Sequence, residues 1–298
     1  MTHPEWWELV PLHETLLTCA GQHASAAYEL IDGGTPTEAT FAAARASIHA
    51  GAAVELLTKS ILAKEHPALI MRNPVDAVRA NGHVLELPRT ADAADLQIAL
   101  SRHLTLGTKV EAFGMGILGD RNLAAHVGLS KNSLKQNVNR LGLWIHFVQE
   151  ASGLQATDWL TPAAASAQEG RYNAFILELH RKLVSARAVY DNKRRVRRKS
   201  HGDFEEWAAS LERELAESAP YEIGPDFDEQ QACPACSRTG HMWGVVDLRY
   251  GGLDEPAEYA SVSLFFRCAV CELQLGSDET AVVFSPDWND VSAPLTDV

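Results

Sequence analysis

The chain has 298 residues, 46% of them hydrophobic, enough for about two domains with cores of their own. It has no run of about 18 apolar residues, which argues against a membrane-spanning helix, and its opening MTHPEWWELVPLHE has neither the basic nor the apolar stretch of a secretory signal, so a cytoplasmic protein is expected. The net charge of −13 is unevenly spread: residues 1–199 hold 22 Lys+Arg against 19 Asp+Glu, a balance of +3, and residues 200–298 hold 4 against 20, a balance of −16. A polyanion would be repelled by the last third, so any nucleic acid belongs on the first two-thirds, while the acidic third would suit a protein partner.

From the N-terminus, the first expected helix covers about Pro11–Ile31, with Cys19 alone in it as a core residue. The second, Phe41–Lys64, places Val54, Leu57 and Ile61 three and four apart and continues the stripe through Ala44, Ile48 and Ala52. Glu55 and Lys59 form an i,i+4 pair in the favourable order, read as a salt bridge rather than as site residues. Pro67, Pro74, Gly82 and Pro88 then interrupt regular structure. A third helix is expected over Ala93–Leu118 and a fourth over Asn132–Ala151, which together suggest a four-helix bundle across residues 1–153.

Between the last two helices lies Arg121-Asn122-Leu123-Ala124-Ala125-His126, close behind Gly114, Gly116 and Gly119, where a backbone turn is expected. Arg offers a planar fork of donors that fits phosphate oxygens. His titrates near neutrality and can act as general base or acid. At about 100° per residue, Asn122 and His126 share a helix face, while Arg121 sits about 140° from His126. The rival reading is structural: Arg121 bound to a carboxylate such as Asp120, and His126 packed in the bundle or capping a helix. His83 and His103 read as ordinary loop or surface histidines.

Taken together, the Ala-rich helix with Glu-Leu-Leu-x-Lys-x-x-Leu, Gly82-His83 and the Arg-Asn-x-x-x-His motif resemble the HEPN superfamily over roughly residues 10–152. The resemblance implies a metal-independent RNA endonuclease, of a kind often found as a toxin or antiviral effector, with Arg121, Asn122 and His126 as its catalytic residues. It also implies a homodimer that brings two Arg and two His into one cleft.

Residues 154–228 read as a connector. An Ala/Ser/Thr-rich linker, Leu154–Gly170, precedes a long helix from Arg171 to about Lys199, which Gly202 ends. Asp203 is a candidate N-cap for a helix bearing Phe204, Trp207, Leu211 and Leu215. The run Lys193-Arg194-Arg195-Val196-Arg197-Arg198-Lys199 could grip RNA. Equally, it could be neutralised by Glu205, Glu206, Glu212, Glu214 and Glu217 of the following helix, folded back as a hairpin.

Residues 229–285 change period. His241–Tyr250 and Tyr259–Arg267 are rich in β-branched and aromatic residues and flank Gly251-Gly252, a hairpin signature. Cys233-Pro-Ala-Cys236 and Cys268-Ala-Val-Cys271 bracket the hairpin with 31 residues between them, and four thiolates are the set that tetrahedral Zn²⁺ prefers. A closed four-sulfur site makes the zinc structural; disulfides are the alternative, disfavoured without a secretion signal. The domain therefore looks like a zinc ribbon. Its cations are Arg238, Arg249 and Arg267, and Trp243, Phe265 and Phe266 read as core rather than base-stacking residues. Residues 286–298 are expected to be a flexible tail.

The expected protein is mainly α: a bundle, a helical-hairpin connector and a small β zinc-ribbon domain. Two functions fit. One is an RNA endonuclease cleaving by 2′-hydroxyl attack in a homodimeric site. The other is a non-enzymatic regulatory or assembly subunit whose bundle dimerises or binds nucleotide.

Overall fold

The computed structural model describes residues 11–32, 39–72, 90–104, 107–126, 131–200, 203–217, 227–250 and 257–284. The protein is mainly helical, with a small antiparallel sheet near the C-terminus. It divides into two compact units, Met1–Tyr172 and Asn173–Val298.

In the first unit the helices are α1 (Leu12–Asp32), α2 (Ala39–Glu65), α3 (Ala93–Leu104), α4 (Gly107–His126) and α5 (Lys131–Ser152), followed by the start of α6 (Pro162–Lys199). α2 is the central element, packing against α1, α3, α4 and α5. A helix surrounded in this way buries residues almost all round, so a one-sided apolar stripe is a poor guide to its orientation. Val54 and Leu57 of the expected stripe are fully buried, but Ile48 is exposed. The buried positions of its first half are instead Ala43, Ala46, Ala50 and Ala53, small side chains that let neighbouring helices close in.

The single helix expected over Ala93–Leu118 is two, α3 and α4. The three glycines before the hexapeptide lie inside α4, and the motif forms its last turns. Tertiary packing accounts for one of them: a Cβ at Gly114 would meet the Trp144 indole Nε1 at 2.9 Å. Trp144, Leu141, Ile145 and Val148 make α5 the apolar partner of this region. Between α1 and α2, His23 and His49 meet edge to edge, Nδ1 to Nδ1 at 2.8 Å. Cys19 is half-buried rather than fully in the core.

The expected linker is partly helix. Thr161 caps α6 by accepting from Ala164 N at 3.2 Å, and Pro162 fills the first helical position, where its missing N–H costs nothing. The Ala-rich stretch behind it has high intrinsic helix propensity. Trp159 and Leu160 are buried, and Gln168 donates to Gly142 O, so this segment packs with the first unit.

The second unit contains the rest of α6, then α7 (Phe204–Glu217), β1 (Phe227–Ala232), β2 (Thr239–Tyr250), β3 (Ala257–Arg267), β4 (Gln274–Leu275) and α8 (Ser277–Val283). Asp203 caps α7, accepting from Glu205 N at 2.8 Å and Glu206 N at 3.3 Å. The strands pair antiparallel in the order β1-β2-β3-β4, with Trp243 opposite Phe265. The expected hairpin is thus the centre of a larger sheet, whose connecting Gly251-Gly252 lies outside the described residues, as does the C-terminal tail. β1, β4 and α8 are additions. β1 reads FDEQQA, acidic and amidic, with no apolar alternation to signal a strand.

Candidate functional site

The first candidate site lies at the C-terminal end of α4. Arg121 crosses to α2, where its Nη1 is 2.6 Å from Glu55 Oε2. The other Glu55 oxygen accepts from Lys59 Nζ at 2.5 Å, and Lys59 also donates to Thr90 Oγ1 at 3.1 Å. One carboxylate thus ties two cations together. Burial alone would raise the Glu55 pKa, but hydrogen bonds from Lys59 and Arg121, reinforced by their charges, outweigh it and hold the carboxyl below its ordinary value. Lys59 is 8% exposed, so losing this carboxylate would leave a buried ammonium without its charged partner.

The approach of the two helices depends on Gly51, one turn before Glu55. A Cβ there would fall 2.5 Å from Arg121 Cδ and 2.6 Å from its Cβ. Arg121 lies flat over the bare backbone of Gly51, its side chain 25% exposed. Its Nε approaches Asn122 Oδ1 at 3.4 Å. Nη2 has no hydrogen-bond partner among the described residues. Asn122 is exposed beside it.

The partner expected for Arg121 in the structural reading, Asp120, is instead 3.8 Å from Arg140. His126 is the last residue of α4, and its side chain lies outside the described residues, as does His83. His103 is exposed near the end of α3, as read from sequence. The structure therefore joins Arg121 and Asn122 to Glu55 and Lys59, which form the salt bridge read from sequence. The available signal was a charged pair on a helix otherwise made of Ala, Leu and Ile.

The second candidate site is the cysteine cluster. Cys233, Cys236, Cys268 and Cys271 are all buried, no disulfide joins them, and their sulfurs lie within 4.8 Å of one another. Two knuckles of the same build present them. Cys233 N donates to Arg238 O at 2.7 Å, and Cys268 N to Leu273 O at 2.9 Å, five residues ahead in both. The residue after each second cysteine, Ser237 (φ 59°) and Glu272 (φ 64°), is left-handed, which turns the chain sharply under the sulfurs.

These residues could hold a metal ion. A tetrahedral ion with Zn–S bonds of about 2.3 Å sets S···S distances of about 3.8 Å. Two pairs here, Cys233–Cys271 at 3.5 Å and Cys236–Cys268 at 3.7 Å, stand near that spacing. Four thiolates this close could not all ionise in a buried pocket without a cation among them.

Arg238 sits in the first knuckle but is committed to α7. Its Nε and Nη2 donate to the two oxygens of Glu212 at 2.9 and 3.0 Å, and Nη1 to Glu205 at 2.5 Å. Thr239 N adds a bond to Glu212 at 3.0 Å. Phe266 is core as expected, while Trp243 and Phe265 stack on each other half-buried, centroids 5.8 Å apart. No helix among the described residues is long and apolar enough to cross a membrane.

No family model, curated protein or solved structure matches the chain.

Proposed function

We propose that the protein is a metal-independent RNA endonuclease, a toxin or antiviral effector of the HEPN type, with its site at the end of α4. The posture of Arg121 carries this reading. One edge of the guanidinium is anchored on Glu55, and Nη2, without a partner among the described residues, is the edge offered to a ligand. An anchored fork is preorganised for phosphate, so little reorganisation is needed when charge develops.

In this scheme Arg121 stabilises the extra negative charge of the pentacoordinate phosphorane. His126 takes the proton of the ribose 2′-hydroxyl or supplies one to the departing 5′-oxygen. Asn122 orients the phosphate or His126. Glu55 and Lys59 act as positioning residues, since they touch Arg121 or its anchor rather than the substrate. The products are a 2′,3′-cyclic phosphate and a 5′-hydroxyl. One motif supplies one imidazole, and cleavage uses both a base and an acid, so the active form is a homodimer sharing one cleft. Zn²⁺ is the ion proposed for the four cysteines, with a structural role.

The test is cleavage of single-stranded RNA in the presence of a chelator of divalent cations. Activity should persist there and be lost in His126→Ala and in Arg121→Ala, by about 10²–10⁴ in rate. Mixed dimers of wild-type and His126→Ala chains should lose far more than half of the activity. A mixed dimer at half the wild-type rate would rule out the shared cleft.

The second reading, a non-enzymatic regulatory or assembly subunit, draws on the same ion pair, because a guanidinium satisfied by Glu55 also serves as a purely structural tie between α2 and α4. It predicts no cleavage, and loss of stability alone when Arg121 is replaced.

A further inference from the structure

The C-terminal end of α6 carries six cations in seven residues, Lys193 to Lys199. At about 100° per residue they separate into two sets. Lys193 and Arg197, four apart, turn inward. Lys193 donates to Val270 O at 3.0 Å and pairs with Glu272 at 2.6 Å. Arg197 lies over the Trp207 ring at 4.8 Å, with Lys193 over the same ring at 5.7 Å.

Arg194, Arg195, Arg198 and Lys199 occupy an arc of about 140° on the opposite side. Arg195, Arg198 and Lys199 are exposed and Arg194 is half-buried. Arg195 reaches Asn192 at 2.9 Å, and no carboxylate among the described residues pairs with any of the four. Asp191, one turn earlier on that side, is engaged by Arg187 at 3.4 Å. The internal neutralisation considered from sequence does not occur as drawn: Glu205 and Glu212 of α7 hold Arg238, and Lys193 turns to Glu272.

We infer that this outer face of α6 is a docking site for single-stranded RNA. Four cations along about 8 Å of helix give a dense line of positive charge, three of them forks that suit phosphate oxygens. Trp207 lies on the inward side, covered by Lys193 and Arg197, so binding at the outer face rests on the cations and the phosphate backbone they attract. An anionic membrane would call for an apolar face beside the cations; among the described residues of this stretch only Val196 is an exposed apolar side chain, and the inward side is already packed. An acidic protein would offer carboxylates, yet α7 presents several in the same unit and none takes these four cations.

The claim concerns binding, and stands or falls apart from cleavage at Arg121. The probe is a labelled 2′-O-methyl oligonucleotide, which cannot be cut by 2′-hydroxyl attack, titrated with the full-length protein. Affinity should fall about 50-fold between 50 and 200 mM salt, as expected for about four phosphates on a single strand. The variant Arg194→Ala/Arg195→Ala/Arg198→Ala/Lys199→Ala should lose at least tenfold in affinity at 50 mM salt and most of the salt dependence. The Lys variant at the three Arg positions should retain much of both. Arg181→Ala/Arg213→Ala, exposed cations elsewhere in the unit, should bind like wild type, and unchanged helical circular dichroism excludes unfolding as the cause.

Wild-type affinity in the fourfold variant overturns the inference even if RNA is still cleaved. So does binding to anionic vesicles or polyglutamate with none to the oligonucleotide. Conversely, salt-dependent binding that the fourfold variant loses, in a protein that cleaves nothing, sustains the docking site while the nuclease reading fails.

Discussion

A methyl group added at Gly51 would have to share space with both Cβ and Cδ of Arg121. The far end of an arginine can swing aside, but its Cβ is fixed to the backbone of α4, so the helices themselves would have to part. Gly51→Ala should therefore destabilise the first unit by about 1–3 kcal/mol, the usual range for overpacking, despite the better helix propensity of Ala. A thermal melt checks this, and an unchanged or raised midpoint would contradict the close approach.

Acid should act on the same region in two steps. His49 is pulled below its ordinary pKa by burial first, then by His23 and Arg45. Glu55 is held below its own by its two cations despite burial. In both cases the folded protein binds fewer protons than the unfolded chain between the two pKa values, so stability rises with pH there. The His49 contribution is intact above about 6.5 and fades as pH falls below it. The Glu55 contribution is intact above about 4.5 and fades below that. Melts across pH should show both limbs in the first unit: His49→Gln should shrink the upper one, which His146, also lowered by burial, shares, and Glu55→Gln should remove the lower.

Among the elements, legibility tracked how local the signal was. Caps and periodicity placed α1, α2, α5 and α7 within a residue or two, because Asp203 and the apolar spacings act within a single turn. The start of α6 was missed because Ala, Ser and Thr suit linkers and helices alike, and the cap at Thr161 decides between them. β1 was missed because its strand character comes from pairing with β2 rather than from its own residues. In the candidate site the four cysteines were fully legible, since ligand type and spacing carry the chemistry. The Glu55–Lys59 pair was legible too, but not its link to Arg121, because that partner lies 66 residues away in sequence.

Arg238 gives the element-scale prediction. Arg238→Ala removes three side-chain bonds to α7 and leaves Glu212, 17% exposed, with the Thr239 amide as its remaining partner. Charge-assisted bonds are worth about 1.5–3 kcal/mol each at most when lost singly, and neighbouring losses do not add. A loss of about 2–3 kcal/mol in the second unit is expected, with metal content unchanged because the sulfurs are untouched. Hydrogen exchange should show α7 amides losing protection first.

Over the whole chain, removing metal should divide the molecule's behaviour. Cys233→Ser, or a strong chelator under reducing conditions, should unfold the sheet while helical signal from residues 11–152 remains. Stoichiometric zinc should be found in the native protein, and its absence would end the assignment. Because the two knuckles come from segments 31 residues apart, an ion bound there would close a long loop that nothing else among the described side chains ties covalently.

Such an ion would make the second unit a reporter of supply. An ion that binds the folded form alone stabilises it by about 1.4 kcal/mol for each tenfold rise in free metal above its dissociation constant. Starvation for the ion would then erode the fold carrying the exposed cations of α6, while the helices around Arg121 would respond to proton concentration instead. One polypeptide would thus answer to two separate features of its surroundings, metal availability in one half and acidity in the other.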